Sequence, residues 1–306
     1  TSFYNPKKSK HKIIIDTPCF PSDRYAINSH IKHQNLNIEE TLIELIPSKG
    51  EETLNNDSII EKIEKYGNET QLILISAVNY YNGQYYDIEA IAKKAKEYDC
   101  VLGLDLAHAA GNVKLFLHDW DIDFAVWCGY KYLNGGPGSP GSAFINKKHL
   151  ENNRIKRLEG WWGHDKNSRF DLLKRFVPSK TAESWQLSNP PILSMAALWS
   201  SLNIFNDIGM DAITSKSIKL TSYLYTLLND IKNVEIITPR NPDRRGAQLS
   251  VRLKNFDKKI YSNLIDNGYI CDYRSPDILR IAPAPLYNSF KDVYNFSNFL
   301  NSSIND

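Results

Sequence analysis

Between Gln71 and Ile145 the chain repeats one pattern. Short apolar runs, Gln71–Val78, Cys100–Leu106, Phe124–Tyr130 and Ser142–Ile145, carry almost no polar alternation, and the Lys-rich amphipathic stretch Ile88–Tyr98 separates the first two. A strand that faces water on one side alternates polar and apolar residues, whereas a near-continuous apolar run is buried on both faces. Runs of this kind joined by helical patterns predict an α/β fold, a mostly parallel sheet with helices on both faces. Ligands of such sheets bind beyond the carboxyl ends of the strands. Ser76, Asp105 and Lys131 lie at the ends of the first three runs and are expected on one rim.

The rest of the chain fills in around that sheet. Ile13–Ile15 is a further β-branched strand, and residues 57–66 have helical spacing. After Pro190 and Pro191, helical patterns run from Ile192 to Phe205 and from Ala212 to Leu228. The rhythm then changes: Gln248–Leu253, Tyr269–Tyr273 and Ile278–Ala282 read as strands, Lys258–Asp266 and Asp292–Leu300 as helices. That tail predicts a small α+β domain. A chain of 306 residues exceeds the usual size of one core, so two domains are expected, 1–205 and 206–306.

Composition excludes several classes. Lys and Arg total 37 against 35 Asp and Glu, a net charge of +2, which gives no electrostatic reason to expect nucleic acid or an anionic membrane as partner. The basic cluster Lys7, Lys8, Lys10, His11 and Lys12 has no interleaved aromatics and reads as a solvated turn. Cys19, Cys100, Cys128 and Cys271 show no paired spacing, so neither a disulfide scaffold nor a zinc ribbon is expected. His30 and His33 have no third ligand nearby, and no metal is expected. No apolar run approaches the roughly 20 residues of a membrane span, and no secretory signal is visible. A cytoplasmic protein is the expectation, and Thr1 in place of a methionine leaves room for residues upstream.

The chemistry centres on Asp105 and Lys131. They stand 131 − 105 = 26 residues apart, about one β-α-β step, which sets a carboxylate beside an amine on the rim. Pyridoxal 5'-phosphate (PLP) needs that pair: a lysine for its aldehyde and an acid that keeps the pyridine nitrogen protonated. The plainer alternative is a surface lysine after a strand and a carboxylate that caps a turn. Gly135, Gly136, Gly138 and Gly141, which allow backbone to approach a ligand closely, favour the first reading, as does His108 three residues past Asp105.

The segment LDLAHAAGNVKLFLHDWDIDFAVWCGYKYLNGGPG resembles the core of kynureninase, a class V member of the aspartate-aminotransferase-like PLP enzymes. FPSDRYAI (Phe20–Ile27), NLNIEE, GWWGH (Gly160–His164), SNPPIL (Ser188–Leu193) and LRIAPAPLYNSFKDVY (Leu279–Tyr294) follow in the family's order. The resemblance runs from about Ile13 onward. It implies hydrolysis of L-kynurenine or 3-hydroxykynurenine to an anthranilate and L-alanine, in tryptophan catabolism and pyridine nucleotide biosynthesis, by a homodimer. By the same resemblance, Lys131 is the Schiff-base lysine and the base at Cα, and Asp105 pairs with the ring nitrogen. Phe20 stacks on the ring, while Asp23, Ser76 and His108 line the cofactor. Tyr130 bonds the phosphate, Trp161 and Asn189 contact cofactor or substrate across a subunit boundary, and Arg280 grips the substrate carboxylate. Residues 1–205 then form the PLP-binding domain.

Family members carry a longer N-terminal region whose helix cradles the phosphate, and this chain is expected to start inside that helix, near Phe3, and so to hold PLP weakly. Asn82 stands where threonine is expected, and His118 and His164 have no assigned role. Another class V enzyme, such as a transaminase or a cysteine desulfurase, remains open, although no cysteine falls between Leu150 and Arg175 to serve a desulfurase. So does an inactive protein that acts as an interaction partner.

Overall fold

The computed structural model describes residues 1–152, 155–254 and 257–305. In chain order its elements are β1 (Lys12–Asp16), α1 (Pro21–His33), α2 (Ile38–Thr41), β2 (Leu42–Leu45), α3 (Asn56–Tyr66), β3 (Thr70–Ser76), α4 (Ile88–Glu97), β4 (Val101–Asp105), β5 (Phe124–Cys128) and β6 (Gly141–Ile145). There follow α5 (Ile192–Ile208), α6 (Met210–Asn229), β7 (Val234–Ile236), β8 (Leu249–Leu253), α7 (Lys258–Asp266), β9 (Asp272–Arg274), β10 (Ile278–Ile281) and α8 (Phe290–Asn305).

Six strands form one sheet in the order β2-β1-β3-β4-β5-β6, parallel except for β6, which runs antiparallel to β5. Alternate residues of β1 serve opposite faces. Ile14 joins Ile73, Ile75 and Leu104 under α3 and α4, whereas Ile13 and Ile15 pack with Ile27 and Ile31 of α1. Helices thus cover both faces, which is why these strands carry no polar alternation. The order reverses between β1 and β3, the position where sheets of this kind open a crevice for ligands.

The second sheet, β7-β8-β10-β9, is wholly antiparallel. Leu249, Val251 and Leu279 pack there against Leu220, Leu224 and Leu228 of α6 and Val293, Phe296 and Leu300 of α8. The chain passes between the sheets through α5 and α6, which meet at Gly209, where φ is +79°.

Several details depart from the sequence reading. Residues 106–123, between β4 and β5, form turns without a regular helix, so the spacing of Asp105 and Lys131 is not a β-α-β step in the strict sense. Strand β5 stops at Cys128 and leaves Lys131 in the following turn. The expected strand Tyr269–Tyr273 is displaced to Asp272–Arg274, and α1, β2 and β7 were not foreseen. Residues around Phe3 are not helical; Phe3 stacks on Phe124 with ring centroids 4.6 Å apart.

Candidate active site

The carboxyl ends of β1, β3, β4 and β5 supply one rim. Asp16 is the last residue of β1, Ser76 of β3 and Asp105 of β4, and the sheet register sets Ser76 beside Asp105. Phe20 caps α1 just past β1, and Asp23 lies in that helix's first turn. Lys131 reaches the same rim from the turn after β5, with Nζ 5.4 Å from the centre of the Phe20 ring and 5.8 Å from that of Tyr130. A lysine within cation–π range of an aromatic ring stands near the edge of a planar group that lies on that ring.

A cleft of about 450 Å³ opens here, within the usual size for a small-ligand site. Phe20, His108, Tyr130, Lys131 and Arg280, all singled out in the sequence, line it. Tyr80, Asn112, Tyr132, Arg274 and Tyr287 line it too and were not singled out. Arg280 enters from β10 on the second sheet, so the cleft lies between the two sheets. Its Nε donates to Asp272 Oδ2 at 2.7 Å and its Nη1 to the Tyr80 carbonyl at 2.6 Å, which aims the rest of the guanidinium edge.

The electrostatics are those of a crowded, partly dry site. Burial first, and then the Asp105 carboxylate hydrogen-bonded to it, push the Asp23 carboxyl up to about 7; Lys131 acts the other way. Two carboxyls can share a hydrogen bond only when a proton lies between them. Burial likewise raises Asp16 to about 6, against the pull of its bond from the Ser76 N–H. Burial, with the charges of Lys131, Arg280 and Arg274, lowers His108 to about 3, so its ring is neutral. Its Nδ1 is buried without any partner. A buried nitrogen left unbonded costs on the order of 1–3 kcal/mol, a cost that a ligand atom in the cleft would remove.

The remaining residues lie elsewhere. Ser76 is buried beneath the rim, bonded to Asp16. Trp161 is 45% exposed, its Nε1 donates to the Arg169 carbonyl, and it does not line the cleft. Asn189 is exposed and outside the cleft as well. Within one chain, therefore, neither meets Lys131. Asn82 is buried and bonds the Glu52 carbonyl, and His164 accepts from the Val177 N–H, so both are fixed inside loops. Among the described residues no cluster of ligands suits a metal ion, and no helix is long and apolar enough to cross a membrane.

Comparison with known proteins agrees with this geometry. Residues 213–300 match the model of the kynureninase C-terminal domain. The kynureninase of Myxococcus xanthus (strain DK1622) is 49% identical over 297 residues, which span 96% of this chain and 70% of that protein. The chain belongs to the kynureninase family. Among solved structures, the apo cysteine desulfurase of Thermococcus onnurineus NA1 superposes with a TM-score of 0.78 at 17% identity, over 97% of this chain and 74% of that one. A C-DES mutant with glycine covalently linked to its PLP cofactor gives 0.80 at 13%, over 96% and 74%. At those identities the two structures speak for the fold alone.

The residues in the cleft fit that cofactor. Phe20 offers a flat wall, Lys131 an amine at its edge and His108 an unbonded ring nitrogen, while Asp23 and Asp105 offer carboxylates on the rim, although neither is among the residues that line the cleft. Asp16 and Tyr80 are the functional candidates that sequence reasoning missed. Asp16 closes the run Ile13–Ile15 as Asp105 closes its own, and that parallel was a usable signal.

Proposed function

We propose that this chain is a PLP-dependent hydrolase that cleaves kynurenine or 3-hydroxykynurenine, with water, to an anthranilate and L-alanine. It would serve tryptophan catabolism in the cytoplasm. The observation that carries the reading is the 49% identity to a kynureninase across 96% of the chain. The placement of Lys131, Asp105 and Arg280 around one cleft supports the residue roles.

When bound, PLP supplies an electron sink that makes the bond between Cβ and the aryl carbonyl carbon, one carbon beyond the amino-bearing Cα, cleavable. The protein's own residues do the rest. Lys131 would hold the cofactor covalently and move the proton at the substrate Cα, roles that its position beside the Phe20 ring suits. Asp105 would pair with the ring nitrogen, and Asp23, raised to about 7 mainly by burial, would stand beside it. Phe20 would stack on the ring, and neutral His108 would offer a hydrogen bond without adding charge. Arg280, already oriented by Asp272 and Tyr80, takes the substrate carboxylate through its free edge, for which a planar guanidinium is better suited than an ammonium. Tyr130 would bond the phosphate, and Ser76, whose N–H donates to Asp16, would line the cofactor from beneath the rim.

Trp161 and Asn189 would reach the site from a second copy of the chain, since neither lines the cleft of its own. Helix α5 supports a homodimer: Leu193 is 91% exposed, Ile192 75% and Trp199 67%, an apolar face that water does not favour. Residues 1–205 and 206–306 would act as the cofactor-bearing and closing domains.

The test is titration of PLP into the purified protein, followed by assay with kynurenine. Saturable uptake of PLP, and release of an anthranilate and alanine in equal amounts, are expected. Uptake of PLP with sulfur release from cysteine and no action on kynurenine would replace this reading with that of a desulfurase.

A further inference from the structure

The segment between β3 and α4 spans the cleft from beneath. We infer that Asn79 is a positioning residue that ties the cofactor wall of the cleft to its substrate wall, through the loop Asn79–Tyr86. The inference rests on the reading that Phe20 faces PLP and Arg280 the substrate carboxylate.

Asn79 is fully buried, with 0% exposure, and both ends of its amide are in use. Its Nδ2 donates to Asp16 Oδ2 at 3.0 Å, to the Pro18 carbonyl at 3.1 Å and to the Tyr86 hydroxyl at 3.4 Å. Pro18 stands two residues before Phe20, so this donor fixes the approach to the aromatic wall. The Oδ1 atom accepts from the backbone N–H of Tyr81 at 2.9 Å and of Asn82 at 3.4 Å, which sets the turn. The next residues then bond the other sheet. The Tyr80 carbonyl accepts from Arg280 Nη1 at 2.6 Å and from Gln248 Nε2 at 3.0 Å. The Tyr81 carbonyl accepts from Ser250 Oγ at 2.6 Å, and the Asn82 carbonyl from Thr238 Oγ1 at 2.5 Å. The Tyr80 ring meets Phe20 edge-on at 5.3 Å. Within four residues, therefore, one loop holds the backbone that carries Phe20 and the guanidinium of Arg280.

At Gly83, φ is +73°, and an added Cβ would lie 2.8 Å from the Gln248 carbonyl oxygen. The loop fits against the second sheet with no room to spare. A displacement of this loop is thus passed to both walls rather than absorbed.

The test compares Asn79→Ala and Gly83→Ala with Ile59→Ala, a core truncation in α3 that touches neither wall. Three readouts are taken on the full chain: PLP affinity from quenching of protein fluorescence, KM and kcat for kynurenine, and Tm. Asn79→Ala and Gly83→Ala should weaken PLP affinity and raise KM together, each about tenfold, the worth of one buried hydrogen bond, while kcat falls less. Ile59→Ala should lower Tm and leave both constants in place. A change in only one constant would overturn the inference, as would changes no larger than those in Ile59→Ala. If Asn79→Ala does not fold, Gly83→Ala decides alone by the same criteria, because it unseats the same loop without removing the Asn79 side chain. Phe20→Ala separates the two readings. Unchanged PLP affinity there would refute the cofactor site itself, whatever the loop does.

Discussion

Asp23 lies beside the Asp105 carboxylate in a site that also holds Lys131, and its charge decides how the protein responds to pH. The Asp23 carboxyl, held near 7 mainly by burial, titrates near 4 once unfolded. A raised folded value means that the proton stabilises the fold fully below about pH 4, and that this contribution is lost as pH rises toward 7. Asn cannot lose a proton, so Asp23→Asn should match the parent's Tm near pH 4 and exceed it increasingly up to pH 7, with a plateau above. A Tm difference that is flat from pH 4 to 8 would contradict this. Asp105→Asn should keep PLP but lose at least about tenfold in kcat, since a charge-assisted hydrogen bond to the ring nitrogen is worth roughly 1.5–3 kcal/mol. Turnover close to the parent's would remove Asp105 from the chemistry. Arg280→Lys keeps the charge and loses the fork, so KM should rise about tenfold with PLP affinity unchanged. A loss of PLP affinity in a folded variant would assign Arg280 to the cofactor. Lys131, Phe20, His108, Tyr130 and Arg280 were legible in the sequence because each stands in a quoted motif. Tyr80 and Arg274 were not, since a residue that enters a cleft from a loop, or from an edge strand of another sheet, leaves no periodic mark.

The strands of the first sheet could be read from apolar runs because both faces are buried, and β3, β4 and β5 fall where those runs predict. Helix α1 could not. Its only buried residues are Ile27 and Ile31, and most of its surface faces water, so its apolar stripe is too thin to register. The turn-built connection 106–123 was taken for a helical step because length alone carries no conformation. Strand β4 offers a test at this scale. An added Cβ on Gly103 would meet the Phe124 ring at 2.2 Å, and Phe124 is in turn stacked on Phe3. Gly103→Ala should therefore push β4 and β5 apart, cost about 1–3 kcal/mol of stability and weaken PLP affinity through Asp105. An unchanged Tm would show that the ring has room to move.

Across the whole molecule, exposed apolar surface gathers on α5, while a hollow of about 740 Å³ lies over the sheet beside Phe3, Phe124 and Trp185. Neither was visible in composition, because 42% apolar residues is an ordinary share and only their placement is unusual. Covering α5 with a second copy should make Leu193→Glu shift the mass seen by light scattering from dimer to monomer; a parent protein that is already monomeric would refute the dimer. The central claim concerns the cleft, and borohydride reduction of the protein at saturating PLP, followed by peptide mapping, tests it most directly. The account predicts a stable pyridoxyl label on Lys131 in the peptide that contains Tyr130 and Tyr132, and a label on another lysine, or none at all, would contradict it.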